Sequence, residues 1–162
     1  MMDLFSQIEN AECDEIIADG RAVCVTYNTF EQKHLWAEFL RRIQDRYSAS
    51  VVVMTVTDEG DPILYYIHYD GTDYMVVRDT HRDHFGTPCY TKDKYRCMSE
   101  IRNEETGGYV VVLANEAFKA MAESDAYWEK VYAQYEAGEI DPYGKNEYQP
   151  FPLRLISTVW KR

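Results

Sequence analysis

The densest grouping of reactive side chains in the chain is Asp79-x-His81-x-Asp83-His84. Two carboxylates and two imidazoles so close together are donor types that zinc or a harder cation takes. The same residues also suit a structural loop. In that reading Asp79 and Asp83 accept backbone N–H groups or pair with Arg82, and Gly86 supplies an unusual φ. The structural reading is favoured, because histidine clusters bind metal only where geometry makes them converge. Asp58, Glu59 and Asp61 form a second acidic group. Neighbouring carboxylates can run general acid–base chemistry when one raises the pKa of the other. The spacing of a calcium-binding loop is missing. An ordinary turn is favoured here too, with Asp58 or Asp61 bonding the turn backbone and Pro62 fixing φ.

Nucleophile signatures are absent. There is no Gly-x-Ser-x-Gly, no Walker A, no dinucleotide glycine fingerprint and no His-Glu-x-x-His. Cys24 and His34 could be imagined as a thiol–imidazole pair, but Cys24 lies in an apolar run and reads as core. The sequence therefore assigns no catalytic residue, no metal ligand and no cofactor. Fourteen tyrosines are its compositional oddity. Tyr65, Tyr66, Tyr69 and Tyr74 gather in one segment. Tyr127, Tyr132 and Tyr135 gather beside Trp128, with Tyr143 and Tyr148 beyond. Tyrosine is favoured at protein interfaces, where a rigid amphipathic ring gives contact area at low entropy cost. Tyr127, Trp128, Tyr132 and Tyr135 are thus candidate binding residues, together with Glu59, Asp61, Asp79, Arg82 and Asp83 of the two acidic groups.

The elements that must position these residues follow from periodicity. Leu4, Phe5, Ile8, Ile16 and Ile17 predict an acidic amphipathic helix, or two short ones, ending at Gly20. Residues 21–27 predict a strand. Thr29-x-x-Gln32 matches a capping box, and Leu35, Trp36, Phe39, Leu40, Ile43 and Tyr47 then recur at helical spacing. Residues 51–57, 63–69 and 74–78 read as strands. Asp58 to Pro62 forms one turn, and Asp70-Gly71 is a dipeptide suited to a tight type I′ turn. Residues 80–88 read as a loop and 90–102 as one long alternating strand. Thr106-Gly107-Gly108 turns that strand into 109–113. Asn115 is expected to cap a third helical region, continued from Ser124 or Asp125 and closed by Gly138. Residues 141–152 form a connector and 153–160 a last strand. This order predicts an α+β domain: a largely antiparallel sheet of five to seven strands, with about three helices mainly on one face. It predicts a single domain over 1–162, with a strand-helix-meander core over 22–113 and an appended helix, connector and strand over 114–162.

Composition bounds the function. The 162 residues carry a formal charge of −11, with 46% hydrophobic and 14% aromatic residues. Such a chain buries roughly 70% of its unfolded surface and folds without staples. The charge opposes a broad footprint on nucleic acid or anionic lipid. It is uneven: six acids and no base fall in residues 1–20, and eleven acids against six bases in 58–106. The first residues have no basic and apolar signal pattern, and the four cysteines form no Cys-x-x-Cys. The expectation is a cytoplasmic chain with reduced thiols, with pairing of Cys89 and Cys97 a minor alternative.

Residues 22 to about 113 also carry an ordered set of motifs: Glu59-Gly60-Asp61-Pro62-Ile63, then Tyr69-Asp70-Gly71, then Asp79-Thr80-His81-Arg82-Asp83-His84-Phe85-Gly86. In this the chain resembles a family of small uncharacterised Firmicute domains, often lipoproteins. The resemblance implies a fold and motif positions, with no assigned activity. It also implies a later cysteine pair. Cys97 matches the first member, but the second position falls near Ala114-Asn115, so that disulfide is expected to be lost. Three functions stay open. The leading one is a non-enzymatic acidic module that binds a protein with a basic surface, in its sharper form a phage or mobile-element inhibitor of a host nucleic-acid-binding enzyme. It needs no direct nucleic-acid binding and no membrane. The others are a small metal-dependent hydrolase built on the acidic loops, and a small-ligand-binding protein.

Overall fold

A computed structural model describes residues 15, 18–25, 30–88, 90–105 and 107–139, and the backbone of residues 153–156. The chain divides into two compact units, Met1–Lys94 and Tyr95–Arg162. The fold is α+β. In chain order it has β1 (Ala22–Val25), β2 (Phe30–Glu31), α1 (Lys33–Gln44), β3 (Ala49–Val56), β4 (Pro62–Tyr69), β5 (Tyr74–Asp79), β6 (Tyr90–Tyr95), β7 (Cys97–Arg102), β8 (Tyr109–Ala114), α2 (Met121–Glu136) and β9 (Leu153–Ile156). These strands form two sheets where one was expected. A six-stranded sheet runs β2-β1-β3-β4-β5-β6, and a three-stranded sheet runs β7-β8-β9. The larger sheet is mixed. β1 lies parallel to β3, with α1 in the connection between them, while β3, β4 and β5 pair antiparallel. A parallel pair needs such a crossover, because a tight turn can join only antiparallel strands.

Both faces of the central strands are apolar, which is why β3 and β4 read as near-continuous β-branched and aromatic runs. Ala22, Cys24, Val52, Met54, Leu64, Tyr66 and Val77 form one buried cluster. Trp36 and Phe39 are the buried residues of α1, their rings 5.5 Å apart, and α1 packs against β1 and β3. In the second unit Ile101, Val110, Val112, Ala114 and Phe118 form the core, with Met121 and Tyr127 of α2 packed against it. Among the described residues, no helix is long and apolar enough to cross a membrane.

Several expectations are corrected. Two helices, not three, are found among the described residues. The expected N-terminal helix lies largely outside them, although Asp19 N–H donates to the Glu15 carbonyl and Gly20 has a φ of 62°. The helix does not start at the expected capping box, whose Thr29 lies outside the described residues. Phe30 and Glu31 pair with β1 instead, and α1 starts after Gln32, which is left-handed and makes no side-chain cap. α1 ends at Gln44 rather than near Tyr47. The long strand over 90–102 is two strands, broken at Arg96, that join different sheets. Its alternation survives the break because Thr91, Asp93 and Tyr95 and then Ser99 and Ile101 are the less exposed positions on both sides, so the pattern carries no mark of the change. The tight turn centres on Gly71–Thr72, one residue past the expected dipeptide. Asp70 instead accepts the N–H groups of Thr72 and Asp73 at 2.8 Å each. Asn115 caps nothing: α2 begins at Met121 and runs unbroken to Glu136. The connector over 141–152 lies outside the described residues. Ala114 stands directly across from Cys97 in the β7–β8 ladder, where the resemblance placed a second cysteine. Cys24 and Cys97 are free thiols.

Both helices end in the same backbone device. After α2, Gly138 N–H donates to the Tyr135 carbonyl and Glu139 N–H to that of Gln134, with Gly138 at a φ of 73°. This is a Schellman motif with glycine where its left-handed residue belongs. After α1, Arg46 N–H donates to Ile43 and Tyr47 N–H to Arg42, but the left-handed position, φ 59°, holds Arg46. A Cβ in that conformation crowds the following carbonyl. Arg46→Gly is therefore expected to stabilise the protein by about 0.5–1 kcal/mol, read as a higher urea midpoint at unchanged slope. Gly138→Ala should move the midpoint the other way.

Candidate functional site

The sheet register brings the two acidic groups together. β3 ends at Val56 and β4 begins at Pro62, so the intervening turn sits at one end of the sheet. Leu64 pairs with Asp79, which brings the end of β5, and the loop that follows it, to that same end. The turn is closed by backbone bonds from Thr57 N–H to the Asp61 carbonyl and from Gly60 N–H to the Thr57 carbonyl. The Thr57 hydroxyl also accepts the Asp61 N–H at 3.1 Å. Gly60, at a φ of 95°, supplies the left-handed residue of a three-residue hairpin loop. The turn backbone is thus organised in part by Thr57. The Asp61 carboxylate reaches across to the next loop.

There it accepts two bonds from one residue, the His84 N–H at 2.9 Å and the His84 ring Nδ1 at 3.0 Å. The backbone N–H and then the ring of His84 hold the Asp61 carboxyl below its ordinary value of 3.8. Asp79 repeats the pattern within its own loop, taking the His81 N–H at 2.9 Å and its ring Nδ1 at 2.7 Å, and it also pairs with Arg82 at 3.0 Å. Burial pushes Asp79 up, but the His81 N–H, the His81 ring and the Arg82 guanidinium outweigh it, and the pKa stays below the usual value. Asp83 accepts the N–H groups of Phe85 and Gly86 at 3.1 and 2.9 Å. At the loop base, the buried Thr80 donates its hydroxyl to the Thr87 carbonyl at 3.1 Å. Asp79 and Asp83 therefore do what the structural reading of the sequence expected. Gly86 does not: its φ is not in the left-handed region, and a Cβ there would displace the Asp83 carboxylate.

This geometry decides what the cluster can do. Asp79 and Asp83 are engaged by groups of their own loop, and Asp61 by His84. Among the described residues, no group of three or more His, Cys, Asp or Glu side chains gathers as a metal ion would require. The exposed residues of the pair include Asp58 and Glu59 on the turn, and His81, His84, Phe85 and Gly86 on the loop. Of the residues singled out by sequence, Glu59, Asp61, Asp79, Arg82 and Asp83 belong to this joined pair of loops.

Tyr127, Trp128, Tyr132 and Tyr135 lie in the second unit, on α2. Tyr127 is half-buried, its ring 5.2 Å from that of Phe118. Burial, and then the nearby Glu116, raise its pKa. Trp128, Tyr132 and Tyr135 share a helix face by their spacing. Tyr132 and Tyr135 are exposed, with their rings 6.0 Å apart. The imagined thiol–imidazole pair is not formed: His34 is exposed on α1, and the buried Cys24 thiol lies 3.7 Å from the Ala22 carbonyl. A serine–histidine contact that the sequence reading missed joins Ser50 Oγ and His68 Nδ1 at 2.7 Å. Antiparallel counting back from the 57–61 turn would have found it, since Ser50 and His68 are register partners. A hydroxyl beside an imidazole is the start of a nucleophile pair. Here both lie one residue in from a strand end, as partners across the β3–β4 ladder.

The Asp61–His84 tie should be separable from global stability. Asp61→Ala is expected to speed chymotryptic cleavage after Phe85 about threefold or more at neutral pH, because local opening becomes easier, with little change in the thermal midpoint. The pH dependence has a definite sign. Carboxyls lowered on folding stabilise the loop above the ordinary value of 3.8, and that stabilisation is lost as the pH falls through their lowered values. Amide exchange at His84, corrected for intrinsic rate, should therefore accelerate as the pH falls below 3.8.

No curated protein and no solved structure matches the chain. A family model does: the one described as Domain of unknown function (DUF4362) covers residues 8–110. The match takes in the six-stranded sheet, the 57–61 turn, the 80–88 loop and β7, and it ends within β8. A match over more than half of the sequence shows that the chain belongs to this uncharacterised domain family.

Proposed function

We propose that the chain is a non-enzymatic binding module that presents its joined acidic loops to a protein with a basic surface. The observation that carries this reading is the Asp61–His84 tie, which fixes the turn and the loop as one body. The pair carries five carboxylates and one arginine over residues 58–61 and 79–86. Three of those carboxylates are bound by neighbouring groups within the pair, which suits a rigid display better than proton transfer or metal capture. Fixed negative potential steers a positively charged partner and speeds encounter. In the sharper form of the reading, the partner is a nucleic-acid-binding enzyme of a host cell, and the carboxylates occupy its phosphate-contacting site.

Recovery of partners from the native cell at low and high salt tests the module. A partner with a basic surface should be recovered at low salt and lost at high salt. Asp58→Lys with Glu59→Lys should then lower its on-rate about tenfold at low salt, without moving the thermal midpoint. Duplex DNA should compete for that partner if the sharper form holds. Recovery that ignores both salt and charge reversal would sink the reading.

A further inference from the structure

Phe85 is 78% exposed, more than any other large hydrophobic residue among those described. Exposure alone is unremarkable, since single apolar side chains are common on protein surfaces. What sets Phe85 apart is that the backbone around it is held at several points. Its own N–H and that of Gly86 go to Asp83, the preceding His84 is bound twice by Asp61, and the loop base is closed by Thr80 and Thr87. Gly86 leaves the Asp83 carboxylate room to approach, and a Cβ there would force that carboxylate to shift. The result is an aromatic ring carried out into solvent on a fixed backbone, beside the exposed Asp58 and Glu59 turn. A preset aromatic loses little freedom on binding, which is how a few residues come to dominate an interface.

We infer that Phe85 is the anchor of the interface: it enters an apolar pocket on a folded partner protein whose rim carries lysine and arginine. This rests on the binding-module reading and adds the pocket to it. The acidic surroundings select the occupant. They would repel an anionic lipid surface, and a second copy docking through the same face would meet carboxylates with carboxylates.

The test places the photocrosslinker p-benzoyl-phenylalanine at position 85 of the full chain in its native cell, with position 47 as the control, since Tyr47 is also well exposed. The expected adduct is specific to position 85 and maps to a partner peptide that lines an apolar pocket bordered by basic residues. With that partner purified, Phe85→Ala should raise Kd about 30-fold or more while leaving the salt dependence unchanged. Phe85→Trp should retain most of the affinity. Gly86→Ala keeps the ring but breaks its brace, and should weaken binding with the thermal midpoint nearly unchanged. A partner that binds in a salt-sensitive way yet loses less than about threefold on Phe85→Ala would overturn the anchor and leave the module standing. An adduct only with a second copy, or binding to vesicles of anionic phospholipid, would overturn the anchor as well. Absence of both adduct and salt-sensitive partner would overturn anchor and module together.

Discussion

The pairing of β3 with β4 constrains everything else in the first unit. From Val56 and Pro62 to Ala49 and Tyr69, each step back along β3 is one step forward along β4, without a bulge. A slip of one residue would send every side chain of one strand to the opposite face. That register puts Val52, Met54, Leu64 and Tyr66 in one buried cluster and leaves Ser50 facing His68. It also sets where the chain turns, and so where Asp61 lies. Because β5 pairs with β4 in an equally regular ladder, Asp79 comes to the end of the sheet that holds Asp61. The joined acidic loops are a consequence of strand register, sealed afterwards by hydrogen bonds.

Those seals are local in energy and specific in geometry. Exposed ion pairs add little to stability. Yet Asp61, Asp79 and Asp83 each take two or more donors, and four of the seven are backbone N–H groups, which cannot rotate away. The arrangement limits the loop to one shape without adding much to the fold. It leaves the hydrophobic sheet to hold the molecule together and the loops to hold a surface.

Much of this was legible in the sequence, and the failures have physical causes. β-branched and aromatic runs located the sheet, and Asp79 with Arg82 could be paired because they lie one turn of chain apart. Gly138 marked the end of α2. What failed was anything decided by a distant partner. Thr29-x-x-Gln32 had the composition of a capping box, but the claim of β1 on Phe30 and Glu31 outweighed it. The break at Arg96 left the alternation intact and was invisible. Asp61 and His84, twenty-three residues apart, meet only through two strand registers. Gly86 looked like a residue chosen for its φ and is instead chosen for the space it leaves to Asp83.

The clamp between Thr80 and Thr87 separates the inside of the loop from the sheet that carries it. Residues 81–86 could lengthen, shorten or change wholesale in a relative without shifting a single pairing in β5. The 57–61 turn has no such freedom, because one added residue there would rotate the pattern of an entire strand. The two halves of this surface are therefore open to different kinds of variation, the loop through its length and the turn only through its side chains.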